Sequence, residues 1–405
     1  MEKSLDRFLK AQASYYQQAY NEIKNGEKYS HWIWFIFPQL EHLGHSWNAK
    51  YYGISDLDEA QAYLENDILK KRLYAICEQL LVHNTKSIQD IMGHLDAKKL
   101  KSSMTLFDLA APHSIFDQVL QTFYDGRRDQ LTLQLLAPNG NMILGAVAGD
   151  IIGSVYERNN IHTTDFVLFS PFCRFTDDSV MTLAVAKWLT VGDLTEQALI
   201  RRMQELGRKY KDAGYGGNFR KWLFDEQPQP YNSWGNGSAM RVSPVGWYAS
   251  TLEEAMQLAE ITAKVSHNHP EGVKGAQAIA AAMFWAREGK SKADIKNRLQ
   301  ETFHYDLERT LDEIRPHYHF DVSCQGSVPE AIRAYLEGRD FEEVIRLAIS
   351  IGGDSDTIGA MAGSIAACTY PVPAHIHQRC TRILTADLNT IMNDFTSFID
   401  KRHNL

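Results

Sequence analysis

Apolar residues in this chain recur at intervals of three and four along most of its 405 residues, and stretches that alternate apolar with polar are scarce. A three-to-four spacing lays one apolar stripe along a helix, whereas a half-buried strand needs a period of two. The expected fold class is therefore all-α. In the first third, residues 4–26, 55–67, 67–84 and 114–126 carry the helical spacing. Gly26 reads as the C-cap of the first stretch, and Ser55 as the N-cap of the second, with acids in its first turn. Farther on, 179–190, 195–212, 252–267, 272–289, 328–338, 341–353 and 356–370 all fit helices of ordinary length. The piece 31–40, HWIWFIFPQL, is dense in aromatics and reads as a short strand or a buried loop.

Apolar residues make up 44% of the chain and charged residues 23%, so it is ordinary globular protein, long enough for two domains with full cores. Ala137-Pro138-Asn139-Gly140 interrupts the helical spacing with three turn formers. The domain boundary is placed there, between a helical domain over 1–137 and a second over 141–405. The net charge of -8 argues against a general nucleic-acid footprint, so no stable nucleic-acid partner is expected. Five cysteines, an odd number with no C-x-x-C pair, give no disulfide framework and fit a reducing compartment. The charged N-terminus lacks an apolar signal core, and no apolar stretch is long enough to span a bilayer. A cytoplasmic location and no membrane partner are expected.

Two acidic motifs stand out from the helical background: Thr176-Asp177-Asp178 and Asp354-Ser355-Asp356-Thr357. Each comes just before an apolar helical run, where a cap residue followed by acids suits the helix dipole. Capping explains each motif about as well as function does. Together, however, they offer four carboxylates and two hydroxyls. Hard oxygen ligands of that kind suit magnesium or calcium rather than zinc or copper. If the fold brings the motifs together, like charges repel unless cations lie between them. Gly352-Gly353 immediately before the second motif is a turn whose N–H groups are natural anion donors.

Other segments are less specific. In 145–157, GAVAGDIIGSVYE, glycines recur every four residues along one helix face and permit close packing. Asp150 and Glu157, seven apart, would share a face of a continuous helix, and their plain reading is two exposed acids. Asn232 to Arg241 is a polar loop with small side chains, suited to a diphosphate or simply to a turn. In Ser266-His267-Asn268-His269-Pro270, a His contacting phosphate or ribose and a structural His are comparable readings, and zinc is poorly supported. The glycine loop 214–218 is weak evidence alone.

Taken together, GAVAGDIIGSVYE, FTDDSVMTLA, GYGGNF, NGSAMRVSP, SHNHP and GGDSDTIGAMAG, in that order, resemble the ADP-ribosylglycohydrolase family from about residue 141 to the C-terminus. The resemblance implies a helical bundle with two magnesium ions in a central cleft. It implies Thr176, Asp177 and Asp178 as metal ligands from one side, and Asp354, Asp356 and Thr357 from the other. It places Glu157 where the family has an acid near the metals. It assigns ADP-ribose binding to Gly216, Asn236, Gly237, Ser238, Met240, His267, Gly352 and Gly353. Some relatives carry an acid near the position of Tyr215, but here that stretch is Tyr-Gly-Gly-Asn, so no base is assigned there.

Residues 4–136 resemble a separate bacterial family without an assigned function, through RFLKAQ, YSHWIWFIFPQL, KYYGISDLDEAQAYL and KLKSSMTLF. There is also a distant likeness to domains that process ADP-ribose derivatives. Lys28, His31, Gln39, Lys101, Ser102, Ser103 and Asp108 are candidates to line a pocket, and Trp32, Trp34, Phe35 and Phe37 are expected in the core.

The expected reaction is magnesium-dependent hydrolysis of the bond between ADP-ribose and an acceptor on a protein, nucleic acid or small molecule. Glu157, Asp177, Asp178 and Asp356 are the expected catalytic residues. The alternative is a protein that binds ADP-ribose without cleaving it.

Overall fold

The protein is described from a computed structural model covering residues 4–44, 46–112, 114–136 and 142–403. The boundary residues 137–140 lie outside the described residues. Two compact units result, Met1–Leu136 and Ala137–Leu405. Among the described residues there are helices and no strand, only isolated bridges joining Leu40 to Ile54 and Gly235 to Ser323. No described helix is long and apolar enough to cross a membrane. All five cysteines are free and buried.

In the N-terminal unit, helix Asp6–Asn25 ends at Gly26, whose φ of 72° lets its N–H reach the Glu22 and Ile23 carbonyls. Helix Leu57–Glu65 begins one residue later than the sequence suggested. Asp56, not Ser55, is its cap and accepts the Glu59 N–H at 2.8 Å, while the Ser55 hydroxyl donates to the Glu59 carboxylate. The aromatic piece is helical only at its centre, and residues 37–40 run on as a buried loop that ends in the Leu40 bridge. The turn Ile33–Ile36 buries Ile33, Phe35 and Ile36 in the same core that takes Trp32 and Phe37 from its two ends. The Trp32 indole and the Ser30 and Tyr29 N–H groups converge on buried Glu22. Several polar candidates are engaged internally: Lys28 pairs with Asp96 at 2.6 Å, Asp108 with Arg128 at 2.5 Å, and Ser102 donates to the Lys98 carbonyl.

In the C-terminal unit the most extensive helix pairing joins Leu144–Gly153 to Ser355–Ala366. Every residue of both helices is buried. The pairing is a glycine-to-glycine contact. A Cβ on Gly149 would overlap the Gly359 carbonyl, one on Gly359 would stand 2.7 Å from the Gly149 oxygen, and one on Gly153 would stand 2.5 Å from the Asp356 Cα. Neighbouring helices normally stand about 8–10 Å apart, held off by their side chains. Removing side chains at the crossing lets the backbones meet. Helix Cys324–Glu337 packs beside the second of these and starts four residues before the apolar run that suggested it, capped by Ser323, with Pro329 inside.

Gly149→Ala is expected to destabilise the protein by about 1–3 kcal/mol, the usual cost of overpacking a tight core. Gly217→Ala, with open space around the new Cβ, is expected to change little. Urea unfolding of both variants checks this, and equal midpoints would contradict the packing account.

Candidate active site

The two acidic motifs meet. Helix Asp177–Val191 starts beneath Thr176, whose extended backbone lets its hydroxyl accept the Asp178 N–H at 3.3 Å. The expected cap is therefore present on this side. Helix Ser355–Ala366 starts after Asp354, but the Asp354 carboxylate makes no capping bond. It instead accepts the Asn236 side-chain N–H at 2.7 Å. Across the gap, the Thr357 hydroxyl donates to Asp178 Oδ2 at 3.2 Å. One carboxylate oxygen from each of Asp150, Asp178 and Asp356 lies within 4.8 Å of the others.

Asp150 corrects the sequence reading. Helix Leu144–Gly153 ends before Glu157, so the two acids do not share a continuous helix, and Asp150 is fully buried rather than exposed. Its carboxylate accepts the Thr176 N–H at 2.9 Å, the Thr176 hydroxyl at 2.6 Å, the Ser179 N–H at 3.0 Å and the Ser179 hydroxyl. Three of these four donors meet at Oδ2 and one at Oδ1, so Asp150 holds the start of the Asp177 helix in place. The available signal was one charged residue inside an otherwise apolar run, LGAVAGDIIG.

The site is strongly anionic. Burial, and then the charges of neighbouring acids, push Asp178 and Asp356 well above the ordinary carboxyl range. Half-buried Asp177 is pushed up to about 8 by desolvation and by Asp150, Asp354 and Glu157. Burial also raises Asp150 and Asp354. Among the described residues no Lys or Arg pairs with any of the five. Asp178 Oδ1 is buried without a hydrogen-bond partner. Both threonine hydroxyls give their protons to carboxylates, which leaves lone pairs free for a cation. An all-oxygen set with an orphaned carboxylate oxygen and no counter-charge fits a hard divalent cation.

The loops around the acids differ in their availability. The Asp177 N–H donates to the Ala213 carbonyl at 3.0 Å, and a Cβ on Gly214 (φ 117°) would stand 3.1 Å from Asp177 Oδ1. The glycine loop therefore lies against the acids, and Gly216 is exposed with open space beside it. Tyr215, missed in the sequence, buries an unpartnered hydroxyl there. Asp212 is exposed and faces Arg220 at 3.9 Å. Gly352 and Gly353 both have positive φ, as a tight corner needs, but their N–H groups are not free anion donors as expected. The Gly352 N–H goes to the Ile349 carbonyl, and the Gly353 N–H to Asn160 Oδ1 at 2.8 Å. The Asn160 amide also donates to the carbonyls of Tyr156, Glu157 and Gly353, tying the Glu157 turn to the second acidic motif.

Ser238 and Met240 are likewise turned to structural tasks. The Ser238 hydroxyl is fully buried and donates to the Gly272 carbonyl at 2.6 Å, and the carbonyl of buried Met240 accepts from Thr182. Beneath the same loop, the Cys324 thiol donates to the Gly235 carbonyl at 3.2 Å, and burial pushes it up to about 12. Asn236 and His267 are both nearly buried, and Gly237 lies against the His267 ring.

Residues 140–403 match the family described as ADP-ribosylglycohydrolase. The chain belongs to that family. Membership makes it a hydrolase of glycosyl bonds. Residues 2–136 match a separate family described as protein of unknown function (DUF1810). Curated relatives of this ADP-ribosylglycohydrolase include the ADP-ribosylhydrolase ARH3 of Bos taurus, 26% identical, covering 59% of this chain and 87% of that one. The ADP-ribosylarginine hydrolase Tri1 of Pseudomonas putida (strain GB-1) is 24% identical, covering 57% and 70%. A solved ADP-ribosylglycohydrolase-related protein complex shares the fold, with a TM-score of 0.50 and 23% identity over 64% of this chain and 97% of that one.

The acids give a pH-dependent prediction. A carboxyl raised in the folded state favours folding while protonated, so its stabilisation is present below about pH 4 and lost as pH rises through its folded value. For Asp177 that value is about 8. In EDTA, Tm is expected to fall between about pH 4 and 8, and magnesium is expected to restore it at the upper end. A Tm indifferent to both pH and magnesium would contradict the cation fit.

Proposed function

We propose that the C-terminal unit hydrolyses the glycosidic bond between ADP-ribose and its acceptor, with two magnesium ions held at the acidic cluster. The carrying observation is the pair of acidic helix starts that converge with no Lys or Arg paired to them among the described residues. Thr176, Asp177 and Asp178 would hold one side, and Asp354, Asp356 and Thr357 the other. Bound divalent ions supply Lewis-acid polarisation of oxygens and charge stabilisation.

The remaining steps belong to the protein. Cleavage at the anomeric carbon passes through an oxocarbenium-like transition state, which a dense set of carboxylates favours. Asp150 keeps the Thr176 hydroxyl donating to it, so that oxygen's lone pairs point away from Asp150. Asn236 performs the same duty for Asp354, whose Oδ2 takes its N–H. Glu157 lies on the partly exposed turn above the buried acids, and its charge is felt by Asp177, Asp354 and Asp356. That location suits it to move the proton between the attacking water and the leaving group. Gly216, Asn236, Gly237 and His267 would orient the ADP-ribose, while Ser238, Met240, Gly352 and Gly353 shape the surface that receives it. The N-terminal unit would select among modified substrates or act itself on a related ADP-ribosyl species.

The acceptor is found by incubating the full chain with ADP-ribosylated arginine, serine, nucleic acid and small-molecule substrates, with and without magnesium. Free ADP-ribose is the expected product from at least one class. Asp356→Ala and Asp178→Ala are expected to lower its release by roughly 10²- to 10³-fold, the scale for losing preorganised charge. Full activity in EDTA would remove the metal from this account. Tight ADP-ribose binding without turnover of any substrate would favour a binding protein instead.

A further inference from the structure

Arg241 is a fully buried arginine that no carboxylate pairs with among the described residues. Its Nε and one terminal nitrogen have no hydrogen-bond partner. The other terminal nitrogen donates to the Thr262 carbonyl at 2.7 Å and to the Ser266 hydroxyl at 2.8 Å, and the guanidinium lies 5.6 Å from the centre of the Phe219 ring. Such a buried cation is costly to maintain, which directs attention to what it holds.

A guanidinium only donates, so Ser266 Oγ is the acceptor in that bond and its own proton must go elsewhere. The acceptor within reach is His267 Nδ1, at 2.8 Å. Nδ1 must then be bare, which puts the ring proton on Nε2. His267 is 5% exposed, between the rings of Tyr231 and Phe219 at 5.6 and 6.2 Å. Its Nε2 has no partner among the described residues and faces the two glycines of the Gly235-Asn236-Gly237 step. A Cβ on Gly237 would stand 3.0 Å from Nε2, and one on Gly235 3.6 Å. The glycines leave that nitrogen uncovered beside Asn236, which itself reaches the acidic cluster.

We propose that Arg241 and Ser266 are positioning residues that hold His267 as an Nε2–H donor, aimed over the Gly235–Gly237 step at an oxygen acceptor of the substrate. The inference rests on the ADP-ribose reading above and adds which atom donates and what fixes it. Burial and the Arg241 charge push the imidazole well below its ordinary range, so it remains a neutral donor at physiological pH. The acceptor is an oxygen of the ribose or of the diphosphate.

The test begins without ligand. Long-range nitrogen–proton NMR of the full chain, with the His267 signal assigned through His267→Gln, is expected to show Nδ1 unprotonated and Nε2 protonated. Ser266→Ala is expected to mix the tautomers and to weaken ADP-ribose binding by about 3- to 10-fold, the worth of one hydrogen bond. Ser266→Thr, which keeps the hydroxyl, is expected to restore both. Gly237→Ala covers Nε2 without touching the relay, so it is expected to weaken binding while the wild-type nitrogen pattern persists. Loss of ADP affinity alongside ADP-ribose places the contact on the diphosphate, and loss for ADP-ribose alone places it on the distal ribose. A wild-type Nδ1–H tautomer, or a Ser266→Ala variant with an unchanged pattern and affinity, overturns the proposal. A wild-type chain that binds no ADP-ribose yet shows the expected tautomer counts against the functional reading alone.

Discussion

Two helices, Leu144–Gly153 and Ser355–Ala366, approach until glycine backbone meets glycine backbone, and the candidate active site is a consequence of that approach. With Gly153 against the Asp356 backbone, Asp150 of one helix is brought within reach of Asp356 of the other. Among the described residues no lysine or arginine pairs with either of them. The anionic charge must therefore be met by hydroxyls, by amides and by ions from solution. A fold that tolerates this arrangement sacrifices some stability for function, the usual relation at active sites.

The helical class and the two acidic helix starts were legible because both are written locally, whereas their meeting across 179 residues was implied only by the family resemblance. Periodicity marks a helix, and a cap followed by acids marks its start. What was not legible depends on tertiary burial. Asp150 reads as a surface acid until its helix is found to be buried on every side. The aromatic piece 31–40 has no helical period, yet a single turn forms at its centre, where its side chains enter the core. Pro329 hides a helix beginning that packing and the Ser323 cap supply.

Braces between distant segments were equally invisible. Asn160 reaches Gly353 and Asn236 reaches Asp354, spans of 193 and 118 residues. Each ties a loop to the second acidic motif by one amide. No pattern within a window of sequence announces such bonds, because an asparagine in a loop has many equally ordinary uses. The same is true of Ser266, whose importance comes from standing between a buried cation and an imidazole.

The thiol of Cys324 lies sealed beneath the Gly235–Ser238 loop, protonated and bonded to the loop's own carbonyl. An alkylating reagent cannot meet it until that loop lifts, and a lifted loop also breaks the Asn236 tether to Asp354. The pace at which this one sulfur is labelled is therefore a clock for the breathing of the cleft. A bound ligand that pins the loop would slow that clock without touching the sulfur.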